Sequence, residues 1–467
     1  MNRADRKPAN GASAVDGGAR PLGIWQLALP AIAGNLLYGI VGLVQTKIVG
    51  GLGSEALAAS GAGGRVFYAL QAVMMAIGAG TAALVARAWG REDRVEAGHV
   101  TTASLVLAVA FALALTLPGV LFARPVASIF GLDAHTVDLA AAYIRWLSVF
   151  NVTFAANFII GSALRAAGDA WTPLWVGAGV NVLNVPLLYV FVFGGYGVPA
   201  MGVVGAAIAS GLAFTIGGMV LVALWWNQRL CIRHERGGWF RRGLLLRLLD
   251  IGYPAGVEQI VLQGGFFAFL MIIGRHYGTQ AFAAYGIGVT MLNICMVAGF
   301  GFSIAGSTLV GQHLGANDAP GAVRSGWRAM RFAIASMGAL GAVAVTFARP
   351  LARFFIDDPT TVEYTAELTW MLGAMMPLMA IEFAIGGSLR GAGDTRFPLV
   401  CTFLGLIGMR VSLAVAFTWM GLPVIWVYGA LIGDYVLKGI LLVWRFRSGR
   451  WKYVIANDDL ETLDTRG

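Results

Sequence analysis

The chain has 467 residues, of which 58% are hydrophobic and only 12% are charged, and its mean hydropathy is +0.73. A soluble domain carries about 25% charged residues, so this composition excludes an ordinary soluble protein and indicates a polytopic membrane protein. The net charge of +9 does not indicate a nucleic-acid partner, because the arginines lie in connections between apolar runs, as they do in the cytoplasmic loops of membrane proteins.

The apolar runs begin after a polar N-terminus. Residues 1–21 are polar, so we expect a disordered cytoplasmic tail. An apolar run of about 20 residues crosses the hydrocarbon as a helix. The sequence contains twelve such runs, at residues 22–50, 60–86, 100–122, 139–163, 173–194, 202–226, 248–273, 281–310, 327–347, 366–388, 397–420 and 426–445. The predicted fold is therefore all-α, with twelve transmembrane helices.

Positive charge follows the even-numbered runs. Six arginines lie between residues 229 and 247, whereas odd-numbered connections such as 51–60 and 194–202 carry almost no positive charge. Because Lys and Arg are retained on the cytoplasmic side, both termini are predicted to be cytoplasmic. The predicted organisation is an N-terminal lobe (22–228), a basic cytoplasmic linker (229–247), a C-terminal lobe (248–446) and a cytoplasmic tail (447–467).

An internal repeat relates the two lobes. Residues 164–169 (Leu-Arg-Ala-Ala-Gly-Asp) recur as residues 389–394 (Leu-Arg-Gly-Ala-Gly-Asp), an offset of 389 − 164 = 225. Pro173 and Pro398 match at the same offset. Each repeat holds six helices, an even number, so both repeats start on the same side of the membrane. We expect an axis along the membrane normal to relate them, with a substrate cavity between them near the midplane.

Several motifs resemble one transporter family. Residues 301–312 (Gly-Phe-Ser-Ile-Ala-Gly-Ser-Thr-Leu-Val-Gly-Gln) are similar to the eighth helix of the multidrug and toxic compound extrusion (MATE) family. Both Leu-Arg-x-x-Gly-Asp turns and residues 197–207 also resemble that family, and the resemblance covers about residues 22–452. It implies two six-helix lobes in a V-shaped arrangement, alternating access, a place in the bacterial inner membrane, and export of organic cations in exchange for protons or sodium.

The chain departs from the family pattern at its acids. Many members have an aspartate in the first helix at the position of Gln45 in this chain. Because glutamine does not ionise, the resemblance does not imply an N-lobe ion site based on that carboxylate here. One branch of the family has acids at the positions that correspond to Leu262 and Met379 of this chain. This chain instead has Glu258, four residues before Leu262, and Glu382, three residues after Met379. Residues three or four apart share a helix face, so the acidic site of the C-lobe is predicted to be displaced by about a turn.

Glu258 and Glu382 are the predicted ion-coupling groups. Glu258 follows Pro254 by four residues and Glu382 precedes Leu389 by seven, so both lie at similar depth, about 10 Å into the bilayer at 1.5 Å per residue. A carboxylate in hydrocarbon costs about 2.5–3.5 kcal/mol, so we expect it to face a water-filled cavity and bind a proton or cation. The alternatives are a helix–helix hydrogen bond without a transport role for Glu258, and a packing role for Glu382.

The N-lobe counterparts of these acids are uncharged, namely Gly34 (258 − 224) and Asn157 (382 − 225). We hypothesise that the C-lobe carries the proton and the N-lobe supplies neutral polar contacts, with interhelical hydrogen bonding as the alternative. The predicted substrate cavity is lined by Asn35, Tyr38, Gln45, Asn157, Asn181, Gln259, Phe266, Met291 and Met379. Ring faces and thioethers suit flat cations, although such residues at helical spacing also form cores.

Other charged residues receive structural predictions. Arg410 and Asp434 are expected to pair within the C-lobe. Lys47 is expected to extend to the lipid headgroups. The residues expected to form helix-end structure, with gating as the alternative, are Arg165, Asp169, Arg390 and Asp394.

No enzymatic activity, metal site or cofactor other than the coupling ion is predicted. The sequence has no His-Glu-x-x-His or Cys-x-x-Cys, and its Gly-rich segments lack the Lys-Ser/Thr of a phosphate loop. The predicted function is a secondary antiporter that exports cationic or amphipathic drugs or toxic compounds in exchange for protons, with sodium as the alternative ion. A flippase of a lipid-linked precursor on a related fold is the alternative function. The expected partners are organic cations and membrane lipids, and the expected state is a monomer.

Overall fold

A computed structural model describes residues 23–235, 237, 240–355 and 359–455, without the side chains of residues 279, 282, 283, 291, 294, 354 and 355. Twelve helices in these ranges are long and apolar enough to cross a membrane. They are α1 (Ile24–Gly50), α2 (Ser54–Gly90), α3 (Arg94–Leu121), α4 (Ala134–Ala166), α5 (Trp171–Phe193), α6 (Gly202–Trp226), α7 (Arg242–Gly278), α8 (Cys295–Gly315), α9 (Ala319–Thr346), α10 (Pro359–Gly391), α11 (Arg396–Trp419) and α12 (Val424–Ser448). The predicted all-α fold with twelve spanning helices is confirmed.

Most helices are longer than the apolar runs that predict them. α2 begins at Ser54 rather than at residue 60, and α3 begins at Arg94 rather than at residue 100. The side chain of Asp93 accepts a hydrogen bond from the backbone N–H of Glu96 at 2.9 Å and so begins α3. Such caps satisfy the N–H groups that have no partner within a helix. The apolar pattern therefore misses the polar first turns.

The predicted linker at residues 229–247 is shorter in the structure, because α7 already begins at Arg242. The segment before α7 is attached to α3, since Arg241 Nη2 donates to Glu96 Oε2 at 2.7 Å. At its far end α7 meets the next helix at Gly278, whose φ of 78° and ψ of −175° interrupt the helical segment Arg242–Gly315. Glycine adopts a positive φ readily, so a kink joins α7 to the helix that contains α8.

The turns after α4 and α10 have the same backbone geometry. Gly168 and Gly393 have φ angles of 98° and 89°. The backbone N–H of the next residue, Asp169 or Asp394, donates to the carbonyl oxygen five residues earlier at 2.9 Å in both turns. A left-handed glycine with this hydrogen bond is a common way to end a helix. The repeat seen in the sequence is thus confirmed in three dimensions at these turns.

The two lobes meet at the end of the molecule that carries the connections after α2, α4, α6, α8, α10 and α12, which we call the basic end. A Cβ atom on Gly90 would collide with the carbonyl oxygen of Gln312, and one on Gly315 with the carbonyl oxygen of Arg87. The two contacts are equivalent in the repeat: Gly315 corresponds to Gly90 (315 − 90 = 225), and Gln312 corresponds to Arg87 (312 − 87 = 225). α2 and α8 therefore cross backbone to backbone, in a contact that only glycine permits.

The chain after α12 remains packed on the basic end. Trp451 is fully buried and stacks on Phe446 at a ring-centroid distance of 4.7 Å. Ile455 belongs to a buried apolar cluster with Leu248 and Ile251 of α7. The predicted cytoplasmic tail at 447–467 is therefore ordered structure as far as residue 455. Residues 456–467 and the predicted tail at 1–21 lie outside the described residues.

Candidate functional site

Glu258 on α7 is held by a basic partner inside the C-lobe. Its side-chain oxygens accept hydrogen bonds from Arg390 Nη2 at 2.6 Å, from Arg390 Nε at 3.4 Å and from Thr402 Oγ1 at 2.9 Å. The residue is only 4% exposed. The expectation that this acid faces a water-filled cavity is therefore wrong, because the long side chain of Arg390 reaches back from the last turn of α10 into the lobe. The ion-coupling role of Glu258 stays a prediction.

Glu382 on α10 has a different partner. Its carboxylate lies 3.4 Å from Nζ of Lys438 on α12, and its side chain is 18% exposed. Lys438 Nζ also lies 3.2 Å from Asp434 Oδ1, one turn earlier on the same helix. Asp434 in turn forms an ion pair with Arg410 of α11, which confirms the predicted pair. Glu382 is thus one end of a chain of buried charges that crosses three helices.

These residues form a charge cluster, which comprises Glu258, Arg390, Glu382, Lys438, Asp434 and Arg410. Its three carboxylates balance its three cations when all are ionised. A buried charge without a partner is strongly destabilising, so the cluster tolerates a change of charge only where the partner keeps another acid. Glu382 meets this condition, because Lys438 is shared with Asp434. It is also the most exposed of the three acids, with 18% of its side chain accessible against 6% and 0% for Glu258 and Asp434.

The backbone of α11 brings Arg410 and Asp434 together. Residues Phe403–Val411 of this helix form a π-helix, a wide turn that is frequent at functional sites. Gly405 lies in the same segment, and a Cβ atom there would collide with Asp434. The guanidinium of Arg410 lies 5.3 Å from the ring centroid of Phe266. Phe266, predicted to line the substrate cavity, is therefore packed against a cation of the protein itself.

Sequence reasoning missed Lys438 and the contact between Arg390 and Glu258. Asp434 and Lys438 are four residues apart within an apolar run, a spacing that places both on one helix face and is readable from the sequence. The Arg390–Glu258 contact joins residues 132 positions apart, and it depends on how three helices pack. No local pattern carries that information.

The predicted polar residues of α1 form hydrogen bonds within the N-lobe. Gln45 donates from Nε2 to the hydroxyl of Tyr143 at 3.0 Å and accepts at Oε1 from the hydroxyl of Ser210 at 3.3 Å. It thereby links α1 to α4 and α6. Asn35 donates to the carbonyl oxygen of Ala31 in its own helix at 2.9 Å. These contacts match the hydrogen-bonding alternative, and a role in substrate binding stays a prediction.

Four other cavity predictions lie at separate places in the two lobes. Asn157 adjoins Gly217 of α6, and Asn181 is buried on α5. Tyr38 is 54% exposed, and Gln259 of α7 is partly buried. Tyr38 and Gln259 have accessible surface, and the structure shows no direct contact that brings the four residues into one site within its described part.

The two methionine predictions have different outcomes. Met379 is fully buried and belongs to the apolar core of the C-lobe, together with Met375 and Met376. The prediction that Met379 lines the cavity is therefore wrong, because its helix face packs against neighbouring helices. Met291 lies in the helix that leads into α8, and its side chain falls outside the described residues.

The four predicted turn residues do not share one role. Asp169 begins α5 by accepting a hydrogen bond from the backbone N–H of Thr172 at 3.0 Å. Asp394 instead accepts from Arg445 Nε of α12 at 2.7 Å. Arg390 binds Glu258, whereas the side chain of Arg165 has no hydrogen bond or ion pair among the described residues. The repeat thus preserves the backbone of the turn but not the contacts of its side chains.

Three side chains connect the lobes at the basic end, and we call Arg87, Thr308 and Gln312 the latch. Thr308 Oγ1 donates to the carbonyl oxygen of Arg165 at 3.0 Å, and Gln312 Nε2 donates to that of Ala166 at 2.8 Å. In the opposite direction Arg87 Nη2 donates to the carbonyl oxygen of Ala392 at 3.5 Å. The latch therefore caps the ends of α4 and α10 from the other lobe, and it closes the basic end.

Comparison with known proteins places these features in a family context. The MatE family model matches residues 30–190 and 254–416, two segments whose starts differ by 254 − 30 = 224 residues. The chain is 28% identical to the "Probable multidrug resistance protein NorM" of Thermotoga maritima, over 91% of this chain and 92% of that protein. It is 25% identical to the "Multidrug resistance protein NorM" of Burkholderia vietnamiensis, over 90% and 92%.

Solved structures share the fold. A MOP superfamily transporter from Pyrococcus furiosus, described as having a binding pocket of reverse polarity, superposes with a TM-score of 0.85 at 22% identity, over 91% of this chain and 96% of that one. A multidrug resistance MATE family transporter in an outward-facing conformation has a TM-score of 0.84 at 23% identity, with the same coverage. At this identity the two structures support the arrangement of helices.

Proposed function

The chain belongs to the MatE family, and on that premise we propose that it is a multidrug efflux antiporter that exports cationic or amphipathic compounds in exchange for protons. The multidrug resistance proteins named NorM to which it is similar support the substrate class. The observation that carries the ion exchange is the position of Glu382. It is an acid inside a membrane lobe, partly accessible, whose basic partner Lys438 has a second acid at 3.2 Å.

Exchange at Glu382 follows from this arrangement. When a proton occupies the carboxylate of Glu382, Lys438 remains paired with Asp434, so no buried cation is left alone. A cationic substrate that approaches Glu382 favours the ionised carboxylate, and the proton leaves to water. When the substrate leaves, a proton takes its place. One positive charge thus replaces another, so the cluster with its bound proton has the same total charge as the cluster with its bound cation.

Glu258 and Arg390 form the fixed part of the cluster in this proposal. Three hydrogen bonds hold the carboxylate of Glu258, and two of them come from a guanidinium that cannot lose its proton. Removing one partner of such a buried pair costs about 3–5 kcal/mol. The proposal therefore narrows the sequence-based prediction of two ion-coupling acids to one exchanging acid, Glu382, and one positioning acid, Glu258.

We place the basic end and both termini in the cytoplasm of a bacterial cell, with the helices in the inner membrane, because Lys and Arg favour the cytoplasmic side. In this orientation the closed latch makes the conformation outward-facing. Alternating access then requires Thr308 and Gln312 to release the end of α4 while the opposite end of the lobes closes. Residues 22–228 and 248–446 act as the two moving lobes in this proposal.

The test is transport of a fluorescent cation in proteoliposomes under an imposed proton gradient or an imposed sodium gradient. The wild type is expected to respond to the proton gradient, and Glu382→Gln is expected to fall to the rate of protein-free vesicles. Glu367→Gln is the matched control, because Glu367 lies on the same helix outside the cluster. Full gradient-driven transport by Glu382→Gln, or a response to sodium alone, contradicts proton exchange at this residue.

A further inference from the structure

Arg165 and Arg390 occupy equivalent places in the two lobes. Each side chain turns back along its own helix over a glycine four residues earlier, Gly161 or Gly386. In both lobes Nη1 of the arginine lies 3.3 Å from the position that a Cβ atom on that glycine would occupy. The glycines obey the repeat offset, since 386 − 161 = 225. The duplicated framework therefore presents the same guanidinium at the same place twice.

The groups that face the two guanidiniums differ. In the C-lobe Arg390 meets the carboxylate of Glu258, which also accepts from the hydroxyl of Thr402. The N-lobe counterparts of these two residues are Gly34 (258 − 224) and Gly177 (402 − 225). A Cβ atom on Gly177 would meet nothing within 4 Å, and one on Gly34 would meet only the side chain of Leu174, at 3.6 Å. The N-lobe thus has space where the C-lobe has an acid and a hydroxyl.

Arg165 has no partner of its own to fill this space. Within the described part of the chain only its carbonyl oxygen forms a hydrogen bond outside its own helix and turn, with Thr308. The acids of α1 to α6 are Glu55, Glu96 and Asp138, and each lies within the first two turns of its helix. A guanidinium stays charged in a protein, and a partly buried one without a counter-charge is unfavourable. In the free protein the guanidinium of Arg165 is therefore a partly buried charge without a counter-ion.

We infer that Arg165 is an oxyanion site that binds the negatively charged group of an amphipathic substrate, in the pocket bounded by Gly34, Gly161 and Gly177. The planar guanidinium binds a carboxylate or phosphate through two parallel hydrogen bonds. Asn181 lies one turn beyond Gly177 on the same face of α5. Arg165 is partly exposed, and its backbone carbonyl accepts a hydrogen bond from Thr308 of the other lobe, so the turn that carries the arginine lies where the lobes meet.

This inference rests on the proposed function in taking the ligand to be a transported compound. It extends the substrate class, because a zwitterion satisfies Arg165 in the N-lobe with its anionic group and Glu382 in the C-lobe with its cationic group. A compound that carries only a positive charge uses Glu382 alone. The two lobes then recognise opposite ends of one molecule.

The test compares two dyes that differ in one negative charge, rhodamine B with its free carboxylate and rhodamine B ethyl ester. Their binding to the full chain in phosphatidylcholine nanodiscs is measured by fluorescence polarisation. Arg165→Gln is expected to weaken the binding of rhodamine B by about tenfold to a hundredfold more than the binding of the ester. This is the range of a charge-assisted hydrogen bond. Arg145→Gln is the control, because Arg145 is an exposed residue of the same helix. If Arg165→Gln weakens the binding of both dyes equally, or of neither dye, the proposed anion site is wrong.

A second variant tests the pocket without removing the arginine. Gly34→Glu places a carboxylate at the position that corresponds to Glu258 of the C-lobe, and a Cβ atom there meets only the side chain of Leu174, at 3.6 Å. It is expected to abolish the preference for rhodamine B over the ester. A folded Gly34→Glu protein that keeps the wild-type preference refutes the inference, even if Arg165→Gln fails to fold.

A third arm identifies the source of the anion. In nanodiscs that contain phosphatidylglycerol, the wild-type preference for rhodamine B is expected to persist. If phosphatidylglycerol removes it, the site holds a lipid phosphate, and the assignment to a substrate is overturned. All three arms are equilibrium binding without an ion gradient, so their failure leaves proton exchange at Glu382 standing, and a failure of proton exchange leaves the dye preference intact.

Discussion

The two lobes share a backbone and differ in the charges inside it. The turns that end α4 and α10 have the same left-handed glycine and the same hydrogen bond, and α2 and α8 make reciprocal contacts at the basic end. Yet the C-lobe interior holds three acids and three bases, whereas the N-lobe uses neutral side chains such as Gln45 and leaves Arg165 without an acid. A duplicated framework thus keeps its helix ends and changes its interior chemistry.

This difference has a physical reason. Helix ends and backbone crossings favour glycine, because glycine adopts a positive φ readily and has no Cβ atom where two backbones touch. Interior side chains tolerate exchange as long as every buried charge keeps a partner. The C-lobe meets this condition, because Lys438 lies between two acids and Arg410 faces Asp434. The N-lobe kept its arginine without the acid, which is why we assign it an external ligand.

The largest expected effect comes from breaking the buried pair of the C-lobe. Arg410→Met leaves Asp434 without its principal partner, and we expect a loss of about 3–5 kcal/mol in the free energy of unfolding. Adding Asp434→Leu should recover most of the loss, since Lys438 still has Glu382. The measurement is thermal or denaturant unfolding of the purified protein in detergent.

The N-lobe counterpart of Arg410 is Val185 (410 − 225), which provides the matched control. Val185→Ala removes only apolar contact, so its cost should be about 1 kcal/mol. If Arg410→Met is no less stable than Val185→Ala, the cluster does not stabilise the C-lobe. The difference in charge between the lobes would then have no effect on stability.

An intermediate effect is expected at the latch, where the lobes touch. Gln312→Ala removes one hydrogen bond across the seam, worth about 1 kcal/mol, so opening of the basic end should become about fivefold more frequent. The readout is the alkylation rate of a cysteine introduced at Ala392, which is buried at this end. Protein without the introduced cysteine controls for Cys231, Cys295 and Cys401.

The reciprocal latch contact sharpens this comparison. Arg87→Ala removes long hydrogen bonds to the carbonyl oxygens of Ala392 and Lys452, 3.5 Å each against 2.8 Å for the bond of Gln312, and should accelerate alkylation less. A larger effect from Arg87→Ala than from Gln312→Ala would show that the two lobes do not contribute to the latch as their hydrogen bonds indicate.

Effects no larger than that of the latch are expected at two repeat-related helix caps, Asp93 and Asp318 (318 − 225 = 93). Each accepts a hydrogen bond from the backbone N–H three residues later, Glu96 at 2.9 Å or Gly321 at 2.8 Å. Replacement of either by Ala should cost about 1 kcal/mol. Similar losses support an equivalent role in both lobes, and a loss at only one of them breaks the symmetry.

The Asp318 cap also predicts a pH dependence. The hydrogen bond from Gly321 and the neighbouring His313 lower the pKa of Asp318 below its ordinary value. The stabilisation is therefore complete above the unfolded-state pKa of about 4 and disappears as the pH falls through the lower folded-state pKa. Thermal unfolding midpoints of wild type and Asp318→Ala should converge in acid, and divergence in acid would contradict this assignment.

Local sequence patterns predicted much of the fold. Twelve apolar runs became twelve helices, the repeat appeared in the turns after α4 and α10, and the Arg410–Asp434 pair formed as expected. The helix ends were predicted too short, because capped first turns such as the one after Asp93 are polar. These successes and errors both concern information within one helix or one turn.

The site was less predictable, because its contacts join distant helices. The reach of Arg390 to Glu258 follows from the packing of α7, α10 and α11, which no single stretch of sequence records. Met379 is a residue type that occurs both in binding pockets and in apolar cores, so the sequence alone does not distinguish the two. In the structure it lies in the core. Only Lys438 carried a local signal, its spacing of four from Asp434.

The central claim is that the C-lobe exchanges a proton at Glu382. It is tested most directly by proton release from the purified protein on binding a cationic dye, in weakly buffered detergent solution with a pH indicator. We expect release from the wild type and from folded Glu258→Gln, and none from Glu382→Gln that still binds the dye. Undiminished release from Glu382→Gln, or its loss in Glu258→Gln alone, would contradict the claim.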